Sequence, residues 1–244
     1  MLERREWYLS NIGLPGFWPH AALFIGTPEQ REAYFQGADI EAWVRRQGVA
    51  SGAFETLLER RYPEAYAESL NPREDSHATR VIEAIGEGVV FTSQEHSAAA
   101  DSLAALRPKL SKLDKAKAIL QAFHYSGRAY DFNFDFLTDS ELVCTELVYK
   151  AYEARTDKDG ITLPVVNILG RPATPAKVIV KQFDQNYDSL QQQFGLVVFP
   201  DGHGKKKLAL ESGLATFRQS WKRPEWHILI QEMNEPAASE AVDN

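Results

Sequence analysis

A hairpin pattern around residues 80–93 limits the folds that this chain can adopt. The segments "RVIEAIG" at 80–86 and "GVVFTS" at 88–93 are short and rich in β-branched residues, and Gly86 and Gly88 stand between them. Two such runs joined by glycines predict a pair of antiparallel strands. The earlier apolar run "HAALFIG" at 20–26 predicts a further, buried strand.

Helical patterns precede and follow this predicted hairpin. Residues 28–35 and 53–68 carry helix formers, and "SKLDKAKAILQAFHY" at 111–125 has the apolar spacing of a helix. A second amphipathic helix is predicted over 140–154, and "FGLVVFPDG" at 194–202 predicts a strand and a turn. Strands, then a helix pair, then further strands indicate an α+β fold rather than regular βαβ alternation.

Three segments fit either a strand or a helix. They are "DSLAALRP" at 101–108, "PAKVIVKQF" at 175–183 and "EWHILIQEM" at 225–233. The helix over 111–125 is better defined, because Ser111 is a candidate N-cap and Asp114 follows three positions later.

The charge balance of the chain excludes one broad class of partner. The formal net charge is −7, whereas a general nucleic-acid binder needs a basic face. The basic segment "GHGKKK" at 202–207 predicts a solvated turn, with a phosphate or anionic-lipid patch as the alternative. No apolar run of about 20 residues and no secretory signal pattern is present, so we expect a cytoplasmic location.

Cys144 is the only cysteine of the 244 residues. It is either a small core residue or a working thiol. It lies beside the apolar stripe of the predicted helix over 140–154, near the helix start. The unpaired N–H groups of a first helical turn stabilise a thiolate, which is the nucleophilic form.

The position of Cys144 in its helix depends on where the helix begins. A capping box of Thr138 and Glu141 would place the cysteine in the second turn. A cap at Asp139 or Ser140 would bring it closer to the amino end. The sequence leaves both starts open.

A catalytic thiol needs a base, and the chain has six histidines. His20 follows "PGFWP" and opens an apolar strand, an unusual place for an imidazole unless the strand end borders a pocket. The other histidines fit solvated or structural positions in loops, turns or helix ends: His77, His96, His124, His203 and His227.

Two segments together resemble a known enzyme family. They are "GFWPHAALFIG" near the start and "GRAYDFNFDF…ELVCTELVYKAY" in the middle of the chain. They resemble the YiiX/YebB-like cysteine hydrolases, a circularly permuted branch of the NlpC-type, papain-like superfamily in which the histidine strand precedes the cysteine helix. "RVIEA" at 80–84 resembles the strand that follows the histidine strand. The resemblance covers about residues 10–155.

The resemblance implies a permuted papain-like fold and a set of roles. The fold would be a small antiparallel sheet with the cysteine helix packed against it. Cys144 would be the nucleophile, His20 the base and Glu83 the group that orients the imidazole. Tyr130 would lie near the oxyanion pocket, with the backbone N–H of Cys144 as a second donor.

Strand alternation supports Glu83 separately, because it lies between Val81 and Ile85 on a largely apolar face and therefore needs a partner there. The alternative is an edge strand with Glu83 in solvent. Asp131 or Asp135 in the aromatic loop would then be the acceptor for the imidazole.

The chain departs from the family pattern at its start and in the long gap from His20 to Glu83. Family members usually begin with Gly-Asp before an apolar strand, whereas this chain opens with "MLERREWYLS". The first strand is therefore expected to be missing or the N-terminus to be incomplete. We expect a catalytic core over 1–155 with a helical insert at about 28–68, a C-terminal extension over 156–232 packed on the core, and a disordered tail over 233–244.

These features predict a cysteine-dependent hydrolase of an amide or ester bond that works through a thioacyl-enzyme. Cell-wall peptides and lipid acyl groups are the substrate classes that the resemblance implies, and an acyl transferase is a variant of the same chemistry. No cofactor is expected, and no second cysteine or HxxxH-like spacing supports a metal site. A catalytically silent papain-like binding or scaffolding domain is the alternative.

The aromatic loop before His20 bears on the substrate. Residues 7–19 contain several aromatic and aliphatic side chains, which would suit an apolar substrate or contact with a membrane surface. The alternative is that these side chains belong to the core. The oligomeric state does not follow from the sequence.

Overall fold

The computed structural model of the protein describes most of the chain as an α+β structure. Among the residues it describes, no helix is long and apolar enough to cross a membrane. The predicted tail over 233–244 falls almost wholly outside them. The described residues are 1–5, 16–131, 141–168, 171–204 and 206–234.

The strands are short, and most pair in antiparallel fashion. In chain order they are β1 (Leu2–Arg4), β2 (His20–Ala21), β3 (Leu23–Phe24), β4 (Thr79–Ile85), β5 (Gly88–Ser93), β6 (Ser102–Pro108), β7 (Ala129–Tyr130), β8 (Glu141–Leu142), β9 (Val166–Ile168), β10 (Arg171–Ala173), β11 (Phe194–Val198), β12 (Pro200–His203) and β13 (Leu208–Glu211).

The helices form two groups along the chain, one between β3 and β4 and the other after β5. In chain order they are α1 (Pro28–Tyr34), α2 (Ala38–Arg46), α3 (Phe54–Arg61), α4 (Pro63–Leu70), α5 (Gln94–Ala98), α6 (Lys112–His124), α7 (Cys144–Tyr152), α8 (Ala176–Gln185), α9 (Leu214–Gln219) and α10 (His227–Asn234).

Two antiparallel sheets form the centre of the fold. The larger has the strand order β11-β6-β1-β2, and the smaller has the order β3-β4-β5. The predicted hairpin is confirmed, because β4 pairs with β5 from Thr79 to Ile85. Gly88 has a φ of +110°, and a Cβ there would meet the carbonyl oxygen of Arg128 at 2.4 Å, so a side chain at this position is excluded.

The segment "HAALFIG" forms two strands rather than the single one predicted. β2 belongs to the larger sheet and β3 to the smaller, and only Ala22 separates them. The chain therefore crosses between the two sheets within one residue. The N-terminal residues also differ from expectation, because β1 lies inside the larger sheet between β6 and β2.

The ambiguous segments are resolved by packing. "DSLAALRP" is the strand β6, whereas "PAKVIVKQF" and "EWHILIQEM" lie in the helices α8 and α10. The N-cap at Ser111 is confirmed, since its hydroxyl oxygen accepts from the backbone N–H of Asp114 at 3.0 Å. Gly202 and His203 of the basic segment form the end of β12, the rest of the segment leads into β13, and Lys205 lies outside the described residues.

Two hydrophobic clusters hold the elements together. The first joins the smaller sheet to the helices of the insert and to α6 and α7. The second joins β1, β2 and β6 to the C-terminal helices α8 and α9. Phe17 and Trp18 are buried in the second cluster, where the Trp18 indole donates a hydrogen bond to Ser220 at 2.8 Å. These two aromatic residues are therefore part of the hydrophobic core.

A buried arginine fixes the insert to the smaller sheet. Arg31 in α1 is 2% exposed. Its guanidinium donates to both carboxylate oxygens of Glu55 in α3, at 2.8 and 2.7 Å, and to the carbonyl oxygen of Gly26 at 2.7 Å. Such a bidentate pair is directional and strong.

Replacement of Arg31 by methionine should destabilise the protein by about 3 kcal/mol, because it leaves the Glu55 carboxylate without its partner in a largely buried place. The double variant Arg31→Met/Glu55→Leu should recover part of this loss. Urea unfolding followed by tryptophan fluorescence measures both changes.

The matched control is Arg45→Met, which removes the exposed ion pair with Glu41. We expect a change below about 0.5 kcal/mol there. Equal losses for Arg31→Met and Arg45→Met would show that the buried Arg31–Glu55 pair contributes no more stability than an exposed ion pair.

Candidate active site

The cysteine helix α7 begins at Cys144 itself. Val143 precedes it with extended backbone angles, and the backbone N–H of Val143 donates to the Glu146 carboxylate at 3.4 Å. The helix therefore starts later than the predicted residue 140, and Glu141 and Leu142 form the strand β8 instead. Thr138, Asp139 and Ser140, the candidate caps, lie outside the described residues.

The thiol of Cys144 is free, 2% exposed and placed at the first turn of its helix. Its sulfur lies 3.9 Å from the carbonyl oxygen of Pro19, the residue before His20. α7 contacts both β2 and β4. This packing brings the cysteine to the strands that carry the predicted base and carboxylate.

His20 opens β2 and contacts two of the predicted site residues. Its Nε2 lies 2.7 Å from Oε2 of Glu83. Burial lowers the pKa of His20, but the charge of Cys144, hydrogen bonds to Cys144 and Glu83 and the charge of Glu3 together raise it well above its ordinary value. Because Nε2 faces Glu83, Nδ1 is the ring nitrogen that this carboxylate leaves unengaged.

Glu83 lies on β4 and is 2% exposed, with three hydrogen-bond donors. Its Oε2 faces His20, while its Oε1 accepts from the hydroxyls of Thr92 at 2.5 Å and Ser97 at 2.9 Å. Burial acts to raise the pKa of Glu83, but hydrogen bonds from His20, Thr92 and Ser97 and the His20 charge lower it to about 2. The carboxylate is therefore ionised and fully partnered.

Tyr130 lies on β7, on the approach to the cysteine helix. Burial, the charge of Cys144 and the charge of Asp131 raise the pKa of the Tyr130 phenol. Its hydroxyl therefore keeps its proton at neutral pH and can donate a hydrogen bond. Asp131 is buried after β7, with its backbone N–H bonded to Leu142, and Asp135 lies outside the described residues.

The remaining histidines have other neighbours. His124 at the end of α6 contacts Arg128 at 3.0 Å. His77 lies 3.8 Å from Glu95, and His96 lies 3.8 Å from Glu74. These contacts fit the structural and solvated interpretations.

Glu3 is a further residue of this site that the sequence did not predict. The pairing of β1 with β2 sets Glu3 directly opposite His20. Glu3 is 2% exposed, and no described group donates a hydrogen bond to its Oε1. One ligand atom each from Glu3, His20 and Glu83 lies within 4.8 Å of the others, so this cluster has the composition of a cation site. Three residues of strand give too little alternation to reveal Glu3 in the sequence.

The pKa of Glu3 is raised to about 7. Burial is the main cause and the charge of Glu83 adds to it, whereas the charges of His20, the terminal amine and Arg5 act in the opposite direction. Glu3 therefore changes its protonation near neutral pH, directly beside the imidazole.

A family model matches residues 4–194 of the chain, and its description is a permuted papain-like amidase enzyme of the YaeF/YiiX, C92 family. The chain belongs to this amidase family. The match includes His20, Glu83, Tyr130 and Cys144, and it extends well past residue 155, where the sequence resemblance ended. Glu3 of this amidase lies just outside the matched range. No match was found among curated proteins or among solved structures.

Replacement of Glu3 by glutamine should change the pH dependence of the amidase's stability. A carboxyl group whose pKa is raised on folding contributes most stability below its unfolded pKa of about 4.5 and loses it as pH rises through the folded value of about 7. The unfolding free energy of Glu3→Gln relative to the unmodified protein should therefore increase from pH 5 to pH 8, by up to about 3 kcal/mol.

The measurement is urea unfolding at a series of pH values. Glu87→Gln, in the exposed turn between β4 and β5, is the matched control and should give a difference that does not vary with pH. A pH-independent difference for Glu3→Gln as well would contradict the burial of an ionisable Glu3.

Proposed function

We propose that this amidase cleaves its substrate through a thioacyl-enzyme on Cys144, with His20 as the base. The observation that carries the proposal is that His20 interacts with both groups. Its Nε2 lies 2.7 Å from Oε2 of Glu83, and the charge of Cys144 and a hydrogen bond to it help to raise the pKa of His20. A thiol at a helix N-terminus paired with an oriented imidazole is the arrangement that nucleophilic acyl transfer requires.

The reaction follows from these positions. The Cys144 proton passes to His20, and the thiolate sulfur bonds to the substrate carbonyl carbon, whose π electrons move to oxygen. Collapse of this adduct breaks the carbon–nitrogen bond, and His20 returns the proton to the leaving nitrogen. Water then gives a proton to His20 and attacks the thioester, which releases the acid and restores the thiol.

Charge stabilisation during the reaction is assigned to two groups. The backbone N–H of Cys144 is a first-turn donor, which has no partner within its own helix. The Tyr130 phenol supplies a second donor. Glu83 holds the imidazole in one orientation and stabilises its cationic form. Preorganised donors of this kind contribute large factors to rate.

The substrate class follows the family and the chemistry. Amide cleavage is the family's activity, and the same thioacyl route accepts esters. We propose a cell-wall peptide amide or a lipid acyl group as the substrate, with water as the acyl acceptor in hydrolysis. The buried Phe17 and Trp18 do not contribute to substrate contact, and residues 7–15 of the aromatic loop lie outside the described residues.

An acyl-enzyme should accumulate on Cys144 when the protein reacts with p-nitrophenyl butyrate, an activated acyl donor. Acid quenching and intact-mass analysis should show one butyryl group on the protein, and peptide mapping should place it on Cys144. Cys144→Ala and His20→Ala should give no adduct, whereas His124→Ala should react as the unmodified protein does.

This experiment also separates the enzyme from a catalytically silent binding domain. A silent domain would give no adduct with any acyl donor although it folds normally. An adduct that persists in Cys144→Ala would place the chemistry elsewhere and contradict the proposal.

Replacement of Glu83 by glutamine should lower turnover by a factor on the order of 10²–10⁴, because the imidazole loses the charge that orients it. The same change should lower the pKa of His20, so the loss of activity at alkaline pH should begin at a lower pH. Steady-state kinetics across pH measures both effects.

Thr92→Val is the graded companion, because it removes one hydroxyl donor from Glu83 and keeps the carboxylate. We expect a smaller fall in turnover with little shift of the alkaline limb. A Glu83→Gln protein with unchanged activity and pH profile would contradict the assigned role of Glu83.

A further inference from the structure

A large apolar cavity lies on one face of β1 and β2. Glu3 and His20, which form the proposed catalytic cluster with Glu83 and Cys144, lie on the opposite face. Its volume is about 580 Å³, which is within the usual range of small-molecule sites. Glu3 and His20 are paired across β1 and β2, and so are their neighbours Leu2 and Ala21. Leu2 and Ala21 line the cavity, whereas Glu3 and His20 do not.

The walls of the cavity come from both hydrophobic clusters. Leu23 and Ile119 belong to the first cluster, and Ile179 and Phe194 belong to the second. Val148, one turn after Cys144 on α7, packs on both clusters and also lines the cavity. The cavity is therefore built between the two cores, next to the catalytic helix.

Exposed apolar side chains lie along the same cavity. Phe24 on β3 is 46% exposed and Val197 on β11 is 53% exposed, and both contribute to its lining. Large apolar groups that remain accessible around a concave surface mark a site for an apolar ligand. The ligand's buried part is therefore aliphatic or otherwise apolar.

The charged residues of the lining are all cationic. They are Arg31, Arg107 and Lys115, and no aspartate or glutamate lines the cavity. Arg31 is neutralised by Glu55. Lys115 donates to the Tyr34 hydroxyl at 3.3 Å, and within the described residues neither Lys115 nor Arg107 forms an ion pair with a carboxylate. These two cations are thus available to an anionic group.

From this lining we infer that the cavity is a binding site for a single aliphatic chain that ends in an anionic group. The chain lies along the apolar walls, and the anion contacts Arg107 and Lys115. Carboxylate and phosphate share this chemistry. The site is separate from the catalytic cluster, so its occupancy does not require the thiol.

Isothermal titration with dodecanoate, below its micellar concentration, tests the inference on the full chain. We expect saturable binding at one site per chain. Across decanoate, undecanoate and dodecanoate, the affinity should rise about fourfold per methylene, the value for one CH₂ transferred from water. Ala105→Phe, which places a ring in the cavity, should weaken dodecanoate binding at least tenfold.

A charge reversal tests the anion separately from the chain. Arg107→Glu/Lys115→Glu should weaken dodecanoate at least tenfold and leave dodecanol binding unchanged. The matched control is Lys206→Glu/Lys207→Glu in the exposed turn between β12 and β13, which should bind dodecanoate normally. The same titration with dodecyl phosphate shows whether the site prefers a phosphate or a carboxylate head group. Tighter binding of either anion supports the site.

Several outcomes would overturn the inference. They are the absence of saturable dodecanoate binding, full affinity in a folded Ala105→Phe protein, and equal loss in both charge-reversal pairs. Self-association that Ala105→Phe abolishes, without dodecanoate binding, would assign the surface to a second copy of the chain. Cys144→Ala should bind dodecanoate normally. The binding experiment therefore tests the cavity whether or not the proposed hydrolysis on Cys144 is correct.

Discussion

The burial of the Glu83 carboxylate is the constraint around which the site is organised. An ionised carboxylate inside a protein needs several donors, and Glu83 obtains them from three different elements. Thr92 comes from β5, Ser97 from α5 and His20 from β2. Because the Glu83 carboxylate requires all three donors, β2 is held against the hairpin of β4 and β5. The same requirement turns the His20 imidazole toward the cysteine helix α7.

A second carboxylate on the neighbouring strand gives the cluster its electrostatic character. Glu3 and Glu83 both lie close to His20, and the thiol lies at the positive end of a helix. Two carboxylates beside one imidazole favour its protonated form, which is the partner that a thiolate needs. The cluster is thus suited to hold an ion pair between cysteine and histidine.

The elements that local interactions determine could be predicted from short sequence patterns. The hairpin around Gly86 and Gly88 and the helix after Ser111 follow from turn and capping chemistry, and both were predictable. The position of Glu3 was not, because it depends on the pairing of β1 with a strand sixteen residues further along the chain. The proximity of His20, Glu83 and Cys144 came from a family resemblance rather than from periodicity, and their catalytic roles remain predictions.

The crossing at Ala22 constrains how the chain can vary in length. In a strand, neighbouring side chains point to opposite faces, and here one face of β1 and β2 carries Glu3 and His20 while the other lines the apolar cavity. A deletion or insertion of one residue beside Ala22 would exchange the two faces and direct the imidazole into the apolar cavity. The loops of the helical segment between β3 and β4 carry no such register, so a change of length in those loops would leave His20 and Glu83 on their present faces.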